Sequence, residues 1–144
     1  MESLDSGTQH KLCTISLVIA VTTPAPILVW RAPYKCKLVG IKAAVGTTIV
    51  ASDTVYWTVE FINRGSTGLL TTALNAATTT MLTGGITLTA NVAATVPLSA
   101  TAASLILAAG DIVTLTLTET YVTAPGEVTP ADMPIIDFEI VGTA

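Results

Sequence analysis

One histidine, two cysteines and ten carboxylates are the side chains of this 144-residue sequence whose types invite a search for chemistry. A Ser-His-Asp or Cys-His arrangement needs an imidazole held within hydrogen-bond reach of its nucleophile. The lone His10 stands in the polar leader MESLDSGTQHK, away from any pattern that would fix it. Cys13 runs in phase with Ile15 and Leu17, and Cys36 in phase with Leu38, so both read as small buried hydrophobes. A disulfide between them stays open if their strands pair. Two cysteines and one histidine fall short of a four-ligand zinc site. Asp137 and Glu139 are two apart on a strand and share a face, a spacing that suits paired acid-base work or a calcium ion and equally a solvated strand surface. Asp53, Asp111 and Asp132 stand at turns, where carboxylates bond the backbone. No glycine-rich phosphate loop follows a strand and opens a helix. The expectation is a protein that is not an enzyme and holds no cofactor or metal.

The elements that would position these residues are strands. In LILAAGDIVTLTLT, Leu105 to Thr118, the residues Val113, Leu115 and Leu117 alternate with threonines, the two-residue period of a strand with one apolar face. Gly110 supplies the positive φ of a tight turn before it, and Asp111 is expected to bond the backbone just beyond. Leu12 to Val21 alternates in the same way until Pro24 and Pro26, and Ile27 to Arg31 forms a short strand closed by Ala32-Pro33. Tyr34 to Val45 loses its phase at Gly40, after which Ile41 falls in step with the lysines, which predicts a bulge. Thr54 to Ile62 sets Val55, Trp57, Val59 and Phe61 against Thr54, Tyr56, Thr58 and Glu60. Ile135 to Val141 turns Ile136, Phe138 and Ile140 inward. Ser66 to Ala103, rich in Thr and Ala, predicts little or no helix, short strands near Leu69-Leu70 and Ile86 to Thr89, and turns at Gly84-Gly85 and Pro97. The fold class is therefore all-β, an antiparallel jelly roll or β-sandwich of about eight strands. Residues 1–11 form an N-terminal arm and residues 12–144 a single domain.

Composition points outward from that body. The chain is 51% hydrophobic and 11% charged, with a mean hydropathy of +0.70, against roughly 25% charged residues in an average soluble domain. A spanning helix needs about 20 apolar residues in succession, and Leu12 to Val21 is shorter and contains Thr14 and Ser16. The leader carries Glu2 and Asp5 where a secretory signal carries positive charge, so no signal peptide is expected. Burial against other subunits is the preferred account of the apolar excess.

Charge is segregated along the chain. All six bases, Lys11, Arg31, Lys35, Lys37, Lys42 and Arg64, precede residue 65, whereas the remainder carries six acids and no base. A net charge of −4 argues against a nucleic-acid partner. Lys11, Arg31, Lys35, Lys37 and Lys42 are the candidate partner-binding residues, facing an acidic surface on a neighbouring copy or a larger assembly. The bland alternative is a solvated sheet edge that discourages stray strand pairing. Trp57 shares the core phase, and Trp30 and Tyr34, flanking Arg31 and Pro33, are the aromatics that could meet a sugar.

The segments WRAPYKCKLVGIKAAVG, VYWTVEFINRG and LILAAGDIVTLTLT, with the Thr/Ala-rich middle between the last two, resemble bacteriophage head decoration, or cement, proteins with a jelly-roll fold. The resemblance runs from Ile27 to Val141. The Ala-Gly-Asp turn opening an alternating strand also looks like tumour necrosis factor-type jelly rolls and phage fibre heads. The decoration resemblance implies a homotrimer on the outer capsid surface of a virion, clamping adjacent major capsid proteins, with the arm or the trimer base meeting the shell and no membrane involved. The alternative is a receptor- or glycan-binding head of a phage fibre or adhesin.

Overall fold

The computed structural model describes residues 10–16, 26–121 and 135–143, which leaves most of the expected arm, and Asp132, outside the described residues. Within them the long strands are β1 (His10–Ser16), β2 (Ile27–Arg31), β3 (Cys36–Ala44), β4 (Val55–Asn63), β9 (Ile112–Tyr121) and β10 (Ile135–Gly142). Four two-residue strands lie between β4 and β9: β5 (Thr72–Ala73), β6 (Thr78–Thr79), β7 (Ala94–Thr95) and β8 (Ile106–Leu107). A 3-10 turn at Ala102–Leu105 is the single helical element among the described residues. No helix there is long and apolar enough to cross a membrane.

Two antiparallel sheets result. The first has the order β1-β10-β3-β7, with β8 also on β3; the second has β2-β9-β4-β5, with β6 also on β4. Successive long strands change sheet at every step but one, since β4 and β9 pair with each other in the second sheet. The all-β sandwich expected from the alternating segments is what forms.

The core lies where the inward phases meet. Trp57, Val59 and Phe61 of β4 and Val113, Leu115 and Leu117 of β9 face Ile136, Phe138 and Ile140 of β10, all buried. Phe61 meets Phe138 edge to face across the two layers, with centroids 5.6 Å apart, and Trp30 stacks on Phe138 at 5.5 Å. Such pairs add about 0.5–1.5 kcal/mol beyond the area they bury. The phase slip at Gly40 is a bulge: Glu139 stands opposite Gly40 but Ile140 opposite Leu38, leaving Val39 without a partner on β10. That extra residue returns Ile41 to the core with Cys36 and Leu38. A Cβ at Gly40 would lie 3.1 Å from Glu139 Oε2, a tight approach that the glutamate would have to yield to. Cys36 is fully buried, and the strands of the two cysteines do not pair, because β10 runs between β1 and β3. Two strand spacings, about 9.6 Å, exceed the reach of a disulfide.

The Thr/Ala-rich middle departs from expectation in detail. Leu69 and Leu70 are exposed and outside any strand, and pairing starts at Thr72. Of Ile86 to Thr89, Leu88 alone bridges to the long body, at Ile49. Side chains here replace strands. The edge of β4 pairs with β5 at Ile62 and Asn63 and with β6 at Thr58 and Val59. Between them Asn75 Oδ1 accepts from Phe61 N–H at 2.7 Å, and Asn75 Nδ2 donates to the Val59 carbonyl at 2.9 Å. Beyond β6, Trp57 N–H donates to Thr80 Oγ1 at 2.9 Å. Without these amide and hydroxyl groups the buried ladder groups of β4 would lack partners, at about 1–3 kcal/mol each.

Candidate interface at the basic end of the sandwich

One end of the sandwich is built by three loops that follow β2, follow β4 and precede β9. Gly110, at φ +88°, makes the turn before β9. Asp111 is buried, and its Oδ2 accepts from Ala108 N–H at 3.0 Å and from Asn63 Nδ2 at 2.9 Å. The carboxylate thus bonds the backbone before the turn rather than beyond it. Asn63 Oδ1 in turn accepts from Gly65 N–H at 2.7 Å. Backbone bonds finish the knot: Ala32 N–H to Asp111 O, Gly110 N–H to Ala32 O, Arg64 N–H to Ile112 O and Ile112 N–H to Gly65 O, all between 2.7 and 3.1 Å.

This knot carries the bases. Arg31 Nε donates to the Gly110 carbonyl at 3.2 Å, and Arg64 Nε donates to Thr114 Oγ1 at 3.1 Å. Lys35 lies in the loop between β2 and β3, with its carbonyl accepting from Thr143 N–H. Lys37 is exposed on β3, paired with Val141 and Ile106, and Lys11 pairs with Ile140 on β1. Lys42 is separate, five residues along β3 from Lys37 and opposite Asp137 and Thr95. The structure therefore gathers Arg31, Lys35 and Lys37 at one end with the backbone of Lys11 close by, and leaves Lys42 towards the other. It adds Arg64, which the sequence places at the close of a strand; the β4–β9 register, Asn63 opposite Val113, brings it round to this end.

Apolar side chains share the surface. Leu69 is 83% exposed and Leu70 50%, on a loop fixed by Leu70 N–H donating to the Arg64 carbonyl. Tyr34 and Ile106 are exposed as well. A hollow of about 470 Å³ lies among Arg31, Ala32, Pro33, Ala109 and Gly110. Exposed leucines next to Arg64, with a tyrosine next to Lys35, can bury apolar area while meeting negative charge.

No family model matches this chain, and no curated protein or solved structure matches it significantly.

Asp111 is the sole described acid at the basic end, and it is buried and bonded. Glu60 and Glu139 lie part-way along their strands. Asp53, Glu119 and Asp137 stand towards the opposite end. Asp53 is exposed there and accepts from Thr83 N–H at 3.0 Å and Thr83 Oγ1 at 2.9 Å. Those bonds, the backbone one foremost, hold its carboxyl below the ordinary value of 3.8. Asp137 and Glu139 do share the outer face of β10, beside Lys42, and no group of three metal-ligating side chains occurs among the described residues. Trp57 is core, and Trp30 leans on Phe138 rather than standing free as a sugar platform.

Proposed function

We propose that this chain is a structural protein that decorates a larger shell, docking through the end that carries Arg31, Lys35, Lys37 and Arg64 onto an acidic surface. The observation that carries the reading is the segregation of charge in space: Arg31, Lys35, Lys37 and Arg64 belong to the loops and strand ends at one end, and the described acids there reduce to the buried Asp111. An inert, apolar, charge-poor sandwich suits a role in which its flanks are covered by copies of itself. The resemblance of its motifs to phage head decoration proteins supplies the shell: a capsid, bound from outside by several copies across adjacent capsid subunits. Many copies bridging a shell resist its expansion because each must release several contacts at once.

The test is co-sedimentation of the purified chain with phage capsids stripped of surface proteins, repeated as salt is raised. Binding that saturates at low salt and falls as the Debye length shrinks from about 10 Å at 0.1 M to 3 Å at 1 M is expected. Binding indifferent to salt, or unchanged by Arg31→Glu combined with Arg64→Glu, would refute it.

A further inference from the structure

The outer faces of the two sheets differ in charge. The β1-β10-β3 face presents Lys37, Lys42, Asp137 and Glu139. The outer face of the β2-β9-β4-β5 sheet is mostly threonine and aliphatic, with Tyr56 and Glu60 on its β4 and Arg64, one residue past β4, donating to Thr114 of β9. Two features on that second face fit one another. On the edge strand β2, Leu28 is 60% exposed. Near the opposite edge a hollow of about 240 Å³ is lined by Ile62, Ala73, Ala76 and Ala77, with Glu60 and Asn75 beside them.

The hollow is preformed. Asn75 Nδ2 also donates to the Ala76 carbonyl at 2.9 Å and to Thr78 Oγ1 at 3.1 Å, and Thr78 Oγ1 donates to that same carbonyl at 2.7 Å. The alanine turn is thereby pinned against β4, and three methyl side chains leave room for one branched aliphatic group. Leucine and hollow also stand at one level: Leu28 is opposite Thr114, Thr114 opposite Ile62, and Ile62 opposite Ala73, a single cross-strand row.

We propose that Leu28 of one copy seats in the Ile62–Ala73–Ala77 hollow of a second copy. Because projection and hollow share a row, rotation about an axis parallel to the strands brings them together with no slide along the strand. Leu28 is a neutral side chain entering a mostly apolar-walled site, with the exposed Glu60 at its rim and Arg64 bonded to Thr114 on the same face. Projection and hollow open on the same outer face, so the rotation that joins them is a two-fold, and the Leu28 of each copy enters the hollow of the other. A two-fold about that axis sets both basic ends on one side, which multiplies any docking affinity. The contact itself lies between copies and holds whether or not those ends meet a shell.

The test is the mass of the purified full chain by light scattering over a dilution series, with circular dichroism as the control for folding. The wild type should be an oligomer. Leu28→Asp, at an exposed position that folding does not depend on, should weaken self-association by on the order of 30-fold or more. Ala73→Phe, which fills the hollow, should do the same, whereas Lys42→Glu on the other sheet should leave the mass unchanged. Leu28→Ala should weaken the oligomer and Leu28→Ala with Ala73→Leu restore it, since the leucine is then supplied from the other side. A wild type that is monomeric throughout, or an oligomer whose mass survives both Leu28→Asp and Ala73→Phe, overturns the proposal. Loss of capsid binding with the oligomer intact would instead count against the docking reading alone.

Discussion

Two acids flank β9 on its core side, Asp111 just before the strand and Glu119 near its far end, and their surroundings are opposite. Asp111 is buried with its oxygen shared between Asn63 and the Ala108 backbone. Glu119 stands across from Trp57, and both Glu119 Oε1 and Trp57 Nε1 are buried with no hydrogen-bond partner among the described residues. The same residue class at the two ends of β9 thus closes one end of the sandwich and leaves the other with unsatisfied polar atoms. The closed end is the one that carries the bases. A surface meant to meet a partner loses less ordering entropy on binding when its loops are already fixed, and the Asp111 knot supplies that fixation.

The sharpest way to break the comparison is to remove the knot. Asp111→Ala strands Asn63 Nδ2 and the Ala108 N–H in a buried site and should lower unfolding free energy by about 2–4 kcal/mol. Asp111→Asn keeps one oxygen that can accept from both donors and should lose about half of that. Chemical denaturation reads both; an Asp111→Ala loss within the scatter of surface substitutions would end the argument for a braced end. Glu119→Leu is the mirror experiment. Removing a buried carboxylate oxygen that has no partner among the described residues, in phase with Leu115 and Leu117, should raise stability by about 1 kcal/mol. A clear destabilisation would mean that Glu119 is satisfied after all.

The smallest effect belongs to Asp53. Its pKa is depressed by the Thr83 bonds, so its contribution is present above the ordinary value of 3.8 and fades as pH falls through the lowered folded value. The carboxylate is fully exposed, so solvent screens the effect. Asp53→Asn should therefore leave stability at neutral pH almost unchanged and flatten slightly its decline in acid below about pH 4. A large change at neutral pH would show that the Thr83 contact matters more than its exposure allows.

Much of the body was legible because strand alternation is local. The phase of Val113, Leu115 and Leu117, the slip at Gly40 and the inward set Ile136, Phe138 and Ile140 each depend on neighbours within a few residues, and each recurs in the structure. The middle of the chain was not legible, because Asn75 and Thr80 bond β4 from 14 and 23 residues away, and no period in the sequence marks a side chain that stands in for a strand. Leu69 and Leu70 looked like strand residues because apolar pairs usually are; here they cap a loop whose outer side is open. The basic cluster was half legible. Arg31, Lys35 and Lys37 are close in sequence, whereas Arg64 joins them through β4–β9 pairing, and Lys42 is carried away by the extended rise of β3, about 3.3 Å per residue.

The central claim is that the basic end holds this protein to a shell and that holding it there strengthens the shell. The most direct measurement is the temperature at which stripped phage capsids rupture after the purified chain is added, compared with the Arg31→Glu, Arg64→Glu double variant. A stoichiometric addition that raises the rupture temperature, with the variant neither adding nor raising it, is the predicted result. A rupture temperature that stays at that of the bare capsids with the wild-type chain, or that the variant raises just as far, would contradict it.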